Sequence, residues 1–310
     1  MTLNEKARKE YRSWQKGYYH LSSDGWKEGL LFNTTEQYAN GMTLMGVITL
    51  RFDIKIYSFS LMPNHFHILA SGNGAAISDA FAYLKRRLNQ RLQEDGFPLL
   101  PRDSRDYGFK LVPVKDPEQM KINIIYIDRN AYERQYCVPG GYPWSSCRLQ
   151  FSRLDDISEN ACAKSISKRK LEELTGTRLP IPDQWRFHPV YGLLPSSFVD
   201  TSLFHRLFSN PKEYLTRLVK DYEAYVKIAR ELDETPVFSK EEAEDITSAI
   251  LRERFPGKGF AMLTHDEKGI LAVSMAKQYS LPATLIADVL RLSERTVLQL
   301  LRAKDYGNMR

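Results

Sequence analysis

Leu61-Met62-Pro63-Asn64-His65-Phe66-His67-Ile68-Leu69-Ala70 is the stretch on which the fold of this chain turns. The run before it, Ile54-Lys55-Ile56-Tyr57-Ser58-Phe59-Ser60, is β-branched and aromatic, as strands are. Pro63-Asn64 is a turn signal, because Pro presets its own φ and Asn tolerates unusual dihedrals. His65 to Ala70 then reads as the returning strand of a hairpin. Side chains alternate along a strand, so His65 and His67 share one face and Phe66 enters the opposite layer. Two imidazoles on one face are a ready pair of metal ligands. His-x-His is a short pattern, however, and two ordinary sheet histidines are its commoner meaning. The rest of the chain has to supply a partner for the pair.

At 310 residues the chain has room for one large domain or for two to three smaller ones. A hydrophobic content of 43% with 12% aromatics marks it as folded and globular. The net charge of +6 and pI of 9.0 favour an acidic partner such as nucleic acid. Cys137, Cys147 and Cys162 form no CxxC pair and read as reduced thiols. No apolar run approaches the roughly 20 residues of a membrane span, and Met1 to Lys9 is charged without an apolar signal core. The expectation is a cytoplasmic protein with no membrane partner.

Working outward from the hairpin, Gln15 to Leu21 is an aromatic strand candidate followed by a turn at Ser22-Ser23-Asp24-Gly25. Asn33 or Thr34 can cap a helix running to about Arg51, with Glu36 or Gln37 placed for a capping box. After the hairpin, Ile77, Phe81, Leu84, Leu88 and Leu92 recur at helical spacing. The other face of that helix carries Lys85, Arg86, Arg87, Asn89 and Arg91. It is either a solvated surface or, beside a metal site, a track for phosphates. Residues 94 to 108 read as a loop and Phe109 to Val114 as a strand. Asp116 and Pro117 then open a helix to about Gln135.

This order predicts an α+β fold over residues 1–150, an antiparallel sheet with helices on its face. Residues 151–235 are expected to be a mostly helical connecting region, with Pro211 to Leu232 one amphipathic helix. Residues 236–310 are expected to be all helical. Leu285 to Val297 has the pattern of a helix-turn-helix, with Ala287 allowing a close crossing and Ser293 capping the second helix. Val297, Leu298 and Leu301 are expected inside, and Glu294, Arg295, Gln299 and Arg302 outside, where they would meet DNA. A three-helix protein-interaction bundle is the alternative.

A two-histidine site needs a third ligand, and phosphate chemistry can use a nucleophile. The helix from Pro117 offers both, since Tyr126 and Asn130 are four residues apart on one helical face. Asp128 is expected to face away. A phenol of ordinary pKa about 10 becomes competent when a cation stabilises its phenolate. Tyr126, within Ile122-Asn123-Ile124-Ile125-Tyr126-Ile127, can equally be packing.

Met62-Pro63-Asn64-His65-Phe66-His67-Ile68-Leu69 resembles the His-hydrophobic-His signature of the single-tyrosine HUH transposases, closest to the bacterial REP-associated tyrosine transposases. Tyr126-Ile127-Asp128-Arg129-Asn130-Ala131 resembles that family's Tyr-Ile-x-x-Asn-Pro, with Ala131 in place of the proline. Tyr142-Pro143-Trp144-Ser145-Ser146 matches a segment the family often shows. The likeness covers roughly residues 15 to 150. It implies a ferredoxin-like HUH fold, with His65, His67 and Asn130 binding Mg²⁺ or Mn²⁺ and Tyr126 attacking single-stranded DNA. The product would be a 5′-phosphotyrosine and a 3′-hydroxyl, at structured targets that are DNA hairpins, in a monomer or a homodimer. His20 lies near the site by the same analogy. Lys85, Arg86, Arg87 and Arg91 would follow the DNA backbone. The alternatives are a domesticated hairpin-binding protein or regulator without cleavage, and a phosphoesterase that uses water.

Overall fold

A computed structural model of the chain describes residues 9–23, 29–99, 109–133, 140–149 and 160–307. Cys137, the Asp24-Gly25 turn and most of the expected loop before Phe109 lie outside the described residues. The chain divides into two compact units, Met1–Leu218 and Val219–Arg310, where three segments bounded at 150 and 235 were expected.

The first unit begins β1 (Gly17–Ser23), α1 (Thr35–Arg51), β2 (Lys55–Leu61), β3 (Phe66–Gly72), α2 (Gly74–Glu94), β4 (Phe109–Val114) and α3 (Pro117–Glu133). Local chemistry sets these boundaries. Thr34 caps α1 by accepting from the Gln37 amide at 3.2 Å. Asn73 caps α2 through Ala76, and Asp116 accepts from the Gln119 amide at the start of α3.

The four strands form one sheet in the order β2-β3-β1-β4, and every pairing is antiparallel. Helices cover both faces. Tyr19, Leu21, Phe59, Leu61, Phe66 and Ile68 pack with Met42, Met45, Phe81 and Leu84 of α1 and α2. Leu69 and Val114 face the other way, onto Met120, Ile124 and Ile127 of α3. Strands covered on both sides read as nearly continuous buried runs, as β2 and β3 do.

The hairpin loop is pinned from outside. The Pro63 carbonyl accepts from the amides of Leu31 and Phe32 at 2.7 and 3.0 Å. Tyr142 to Ser146 lies along the exposed edge of β2. Trp144 accepts from the Leu61 amide, Ser146 donates to the Phe59 carbonyl, and the Tyr142 hydroxyl donates to the Leu61 carbonyl at 2.7 Å. This segment therefore satisfies backbone groups that an open edge would leave unpaired.

The mostly helical region expected over 151–235 also contains strands, so an all-α reading of everything after the first domain is corrected. β5 (Ala161–Cys162), β6 (Arg186–His188) and β7 (Gly192–Leu193) form a small antiparallel sheet, with α4 (Lys168–Thr175) between the first two. These strands are too short to show alternation. They persist because Trp185, Phe187 and Leu193 pack together against Leu50 and Phe198. Gly192 has φ +70°, and a Cβ there would lie 2.3 Å from the Ala39 carbonyl oxygen, so the turn into β7 needs glycine. α5 (Ser202–Leu207) and α6 (Pro211–Lys220) follow.

The expected single helix from Pro211 to Leu232 is two helices, α6 and α7 (Tyr222–Leu232). Asp221 leaves helical geometry, with ψ 63°, and its carboxylate caps Ala224. The second unit continues with α8 (Lys240–Arg254), α9 (His265–Tyr279), α10 (Ala283–Leu290) and α11 (Glu294–Gly307). Capping boxes at Ser239/Glu242 and Thr264/Glu267 start α8 and α9. Arg291 turns the chain after α10 at φ 53°, and Ser293 caps α11 by accepting from the Thr296 amide at 3.0 Å. Ile286, Leu290 and Val297 are fully buried. Leu298, expected inside, is 39% exposed, because only Val297 of that pair lies on the inward stripe of α11. No helix among the described residues is long and apolar enough to cross a membrane.

Candidate active site

The face of the sheet that meets α3 carries the histidines. His67 pairs in register with Ser22 of β1 and Ser60 of β2, in the middle of the sheet. His20 of β1 sits opposite Leu69, so it is the diagonal neighbour of His67 on the same face. His65 ends the hairpin loop, and its ring centroid is 5.0 Å from that of His67. All three are buried.

From above, α3 presents Asn123, Tyr126 and Asn130, three positions of one helical face. The Tyr126 ring stands edge-on to His67 at 5.4 Å and to His20 at 5.8 Å. Asn130 donates its amide N–H to the Tyr126 carbonyl at 3.0 Å, which turns its Oδ1 toward His65 Nε2 at 3.3 Å. Asn64 Oδ1 lies 2.8 Å from the other nitrogen of His65. The structure thus brings His65, His67, Tyr126 and Asn130 together. Tyr126 is 2% exposed, so its phenol is covered.

Two residues join them that the hairpin and helix patterns did not single out for a role. Asn123 Oδ1 is 2.6 Å from His20 Nδ1, and His20 Nε2 is 3.1 Å from His67 Nδ1. The signal for Asn123 was its spacing of three and seven residues before Tyr126 and Asn130. His20 needed the strand register.

Burial favours the neutral imidazole at His20 and at His67. Burial pushes the His20 pKa down to about 4, partly opposed by its bond to Asn123. Burial, then the charges of His65 and His20, holds His67 well below the ordinary range. Neutral imidazole is the form that ligates metal. The donor set is then two ring nitrogens and one amide oxygen, which fits a divalent cation and leaves positions for phosphate oxygens and water. Among the described residues no group of three or more His, Cys, Asp or Glu is placed to hold a metal ion, so the set has no carboxylate.

The outer face of α3 has a different chemistry. Asp128, expected to face away from the site, does so without reaching solvent. It is 3% exposed and accepts from the Tyr214 hydroxyl of α6 at 2.9 Å. Burial and that carboxylate hold the Tyr214 pKa well above its ordinary value. Arg129 is fully buried and donates to the Leu218 carbonyl at 2.8 Å. Lys121 pairs with Glu213 at 2.7 Å.

The expected DNA-contact residues of α2 divide into two pairs. Arg91 donates to Asp95 at 2.8 Å, and Arg87 donates to Gln90 at 3.0 Å. Arg87 also lies against Gly176, where a Cβ would come within 1.9 Å of its Nη2. Lys85 and Arg86 line a cavity of 610 Å³ with Phe81, Asn89 and Phe109. Arg86 stacks over Tyr83 at 5.4 Å. None of His65, His67, Tyr126 or Asn130 lines that cavity. In the second unit Arg295, Gln299 and Arg302 are exposed along α11.

No protein-family model matches the chain, and no curated protein does. Among solved structures the chain is similar to a REP-associated tyrosine transposase bound to a REP hairpin, at 15% identity and a TM-score of 0.36. The likeness covers 46% of this chain and 84% of that one. At that score and identity it does not extend to residues or to chemistry.

Proposed function

We propose that this chain cleaves and rejoins single-stranded DNA at hairpin-bearing ends through a phosphotyrosine intermediate, as a transposase of the single-tyrosine HUH type. The observation that carries this reading is the convergence of Tyr126, Asn130, His65 and His67 from a helix and a hairpin distant in sequence. The strand order β2-β3-β1-β4 in a β-α-β-β-α-β chain is consistent with a ferredoxin-like HUH core.

In this reading His65, His67 and Asn130 would hold Mg²⁺ or Mn²⁺, which when bound polarises the scissile phosphate and offsets developing negative charge. A His-His-Asn set with open water positions suits either ion. The Tyr126 phenolic oxygen forms the bond to phosphorus, and the bond from phosphorus to the 3′-oxygen breaks. The phenolic proton passes to solvent, and the departing 3′-oxygen takes one up. Attack by a second 3′-hydroxyl reverses these steps and releases the tyrosine, so no external energy source is needed. Lys85 and Arg86 would follow the phosphates, giving binding that weakens steeply with salt. Arg295, Gln299 and Arg302 of α11 would contact duplex DNA.

One observation favours a second reading. Tyr126 at 2% exposure suits a hairpin-binding regulator that does not cleave. The test is incubation with Mn²⁺ and a pool of hairpin oligonucleotides with randomised single-stranded flanks. A denaturation-resistant adduct that disappears in Tyr126→Phe is expected. An adduct that survives Tyr126→Phe overturns the tyrosine assignment. Tight hairpin binding with no adduct from the pool selects the regulator, and cleavage without adduct selects water as the nucleophile.

A further inference from the structure

We infer that Asn123 and His20 are positioning residues that fix the tautomer of His67, so that its Nε2 lone pair is the one presented to the site.

A neutral imidazole carries one proton and can place it on either nitrogen, so only one ring nitrogen is a ligand at a time. Which one is decided by the bond the other makes. Here the decision can be traced back to the backbone. Asn123 Nδ2 donates to the Gln119 carbonyl at 2.7 Å, a contact its oxygen could not make. The amide orientation is therefore set, and Oδ1 is the atom 2.6 Å from His20 Nδ1. An amide oxygen only accepts, so His20 carries its proton on Nδ1 and donates.

His20 is fully buried, which favours its neutral form. Its Nε2 is then an acceptor, and it lies 3.1 Å from His67 Nδ1. His67 must hold its proton on Nδ1 to fill that bond, which leaves Nε2 as the basic nitrogen. The chain Gln119–Asn123–His20–His67 thus passes one polarity from a helix carbonyl to a ring nitrogen across the sheet–helix interface.

The arrangement also joins the two halves of the site. Asn123 is on the helix that carries Tyr126, and His20 and His67 are on adjacent strands. Outer-shell partners of this kind typically alter metal affinity by about 10–100-fold when removed. The metal consequence rests on the ligand assignment proposed above. The tautomer does not, and it is measured without DNA or metal.

The test is ¹⁵N NMR of the histidine rings in the full chain, labelled at histidine, near neutral pH and without metal. His67 is expected with its proton on Nδ1, the minority tautomer of free histidine. In His20→Leu the proton should move to Nε2. His20→Gln, which keeps an acceptor for His67, should retain more of the Nδ1 form. Mn²⁺ titration followed by the ion's own paramagnetic signal should show affinity falling about 10–100-fold in His20→Leu and less in His20→Gln. A wild-type His67 protonated on Nε2 overturns the proposal without requiring any variant to fold. Mn²⁺ affinity unchanged in folded His20→Leu overturns its metal consequence. Absence of a DNA adduct would count against the strand-transfer reading and leave the ring assignment untouched.

Discussion

The two faces of α3 are built from opposite kinds of polar group. The inner face presents Asn123, Tyr126 and Asn130, all uncharged, to His65 and to His20 and His67, the last two held neutral by burial. The outer face carries Lys121, Asp128 and Arg129, and each is engaged by α6. Charge thus fastens the helix on one face and is absent from the other, where the proposed strand transfer would bring an anionic phosphate and a cation together. A carboxylate on the inner face would bind a cation more tightly and repel the phosphate. One on the outer face costs nothing in that respect and finds a buried partner.

Substitutions on the two faces should therefore fail in different ways. Tyr126→Phe should lower adduct formation by on the order of 1000-fold or more while leaving the thermal midpoint nearly unchanged. A large loss of stability in that variant would mean the inner face is packing after all. Arg129→Leu should do the reverse. It strips a fully buried guanidinium from the Leu218 carbonyl and should cost about 1–3 kcal/mol, read from denaturant unfolding.

Acid should separate the faces as well. The His20 pKa is about 4 in the fold against an ordinary 6.5, so the unfolded chain binds more protons between those values. The stability this represents, about 3 kcal/mol at most, is complete above pH 6.5 and is lost as pH falls toward 4. On the outer face Glu213 is held down to about 2, first by Lys121 and then by Ser209, against an ordinary 4.5. Its contribution is present above pH 4.5 and is lost only below that. His20→Leu should narrow the first window in a pH series of unfolding midpoints to the part His67 contributes, and leave the second. Coincident windows would dissolve the distinction between the faces.

Smaller effects follow on the outer face. Tyr214→Phe keeps the ring and removes the bond to Asp128, and should cost about 1–2 kcal/mol. Lys121→Ala breaks a partly exposed pair and should cost under about 1 kcal/mol. If these two also abolished adduct formation at unchanged stability, α6 would be setting the position of Tyr126 and not merely holding its helix.

Much of this organisation was readable from local chemistry. Thr34 with Gln37, Asp116 with Pro117, Ser239 with Glu242 and Ser293 with Thr296 act within one helical turn, so sequence spacing suffices to find them. The Pro63-Asn64 turn and the face shared by His65 and His67 follow from strand alternation. The break at Asp221 was less legible, because apolar spacing runs unbroken across it and only the cap interrupts the helix. Hydrophobicity alone puts Leu298 inside, although one position around a helix decides burial. The short strands β5 to β7 carried no period at all.

By itself the sequence determined which segments are helices and strands over most of the first unit, and which side chains those elements hold on one face. The tertiary structure alone decided that His20 meets His67 and that Asn123 stands behind it. It also decided that Asp128 and Arg129 are buried against α6. The reason is physical. Periodicity encodes what a residue's own element does with it. Diagonal contacts across a sheet and bonds between helices depend on register and packing, which many distant residues set together.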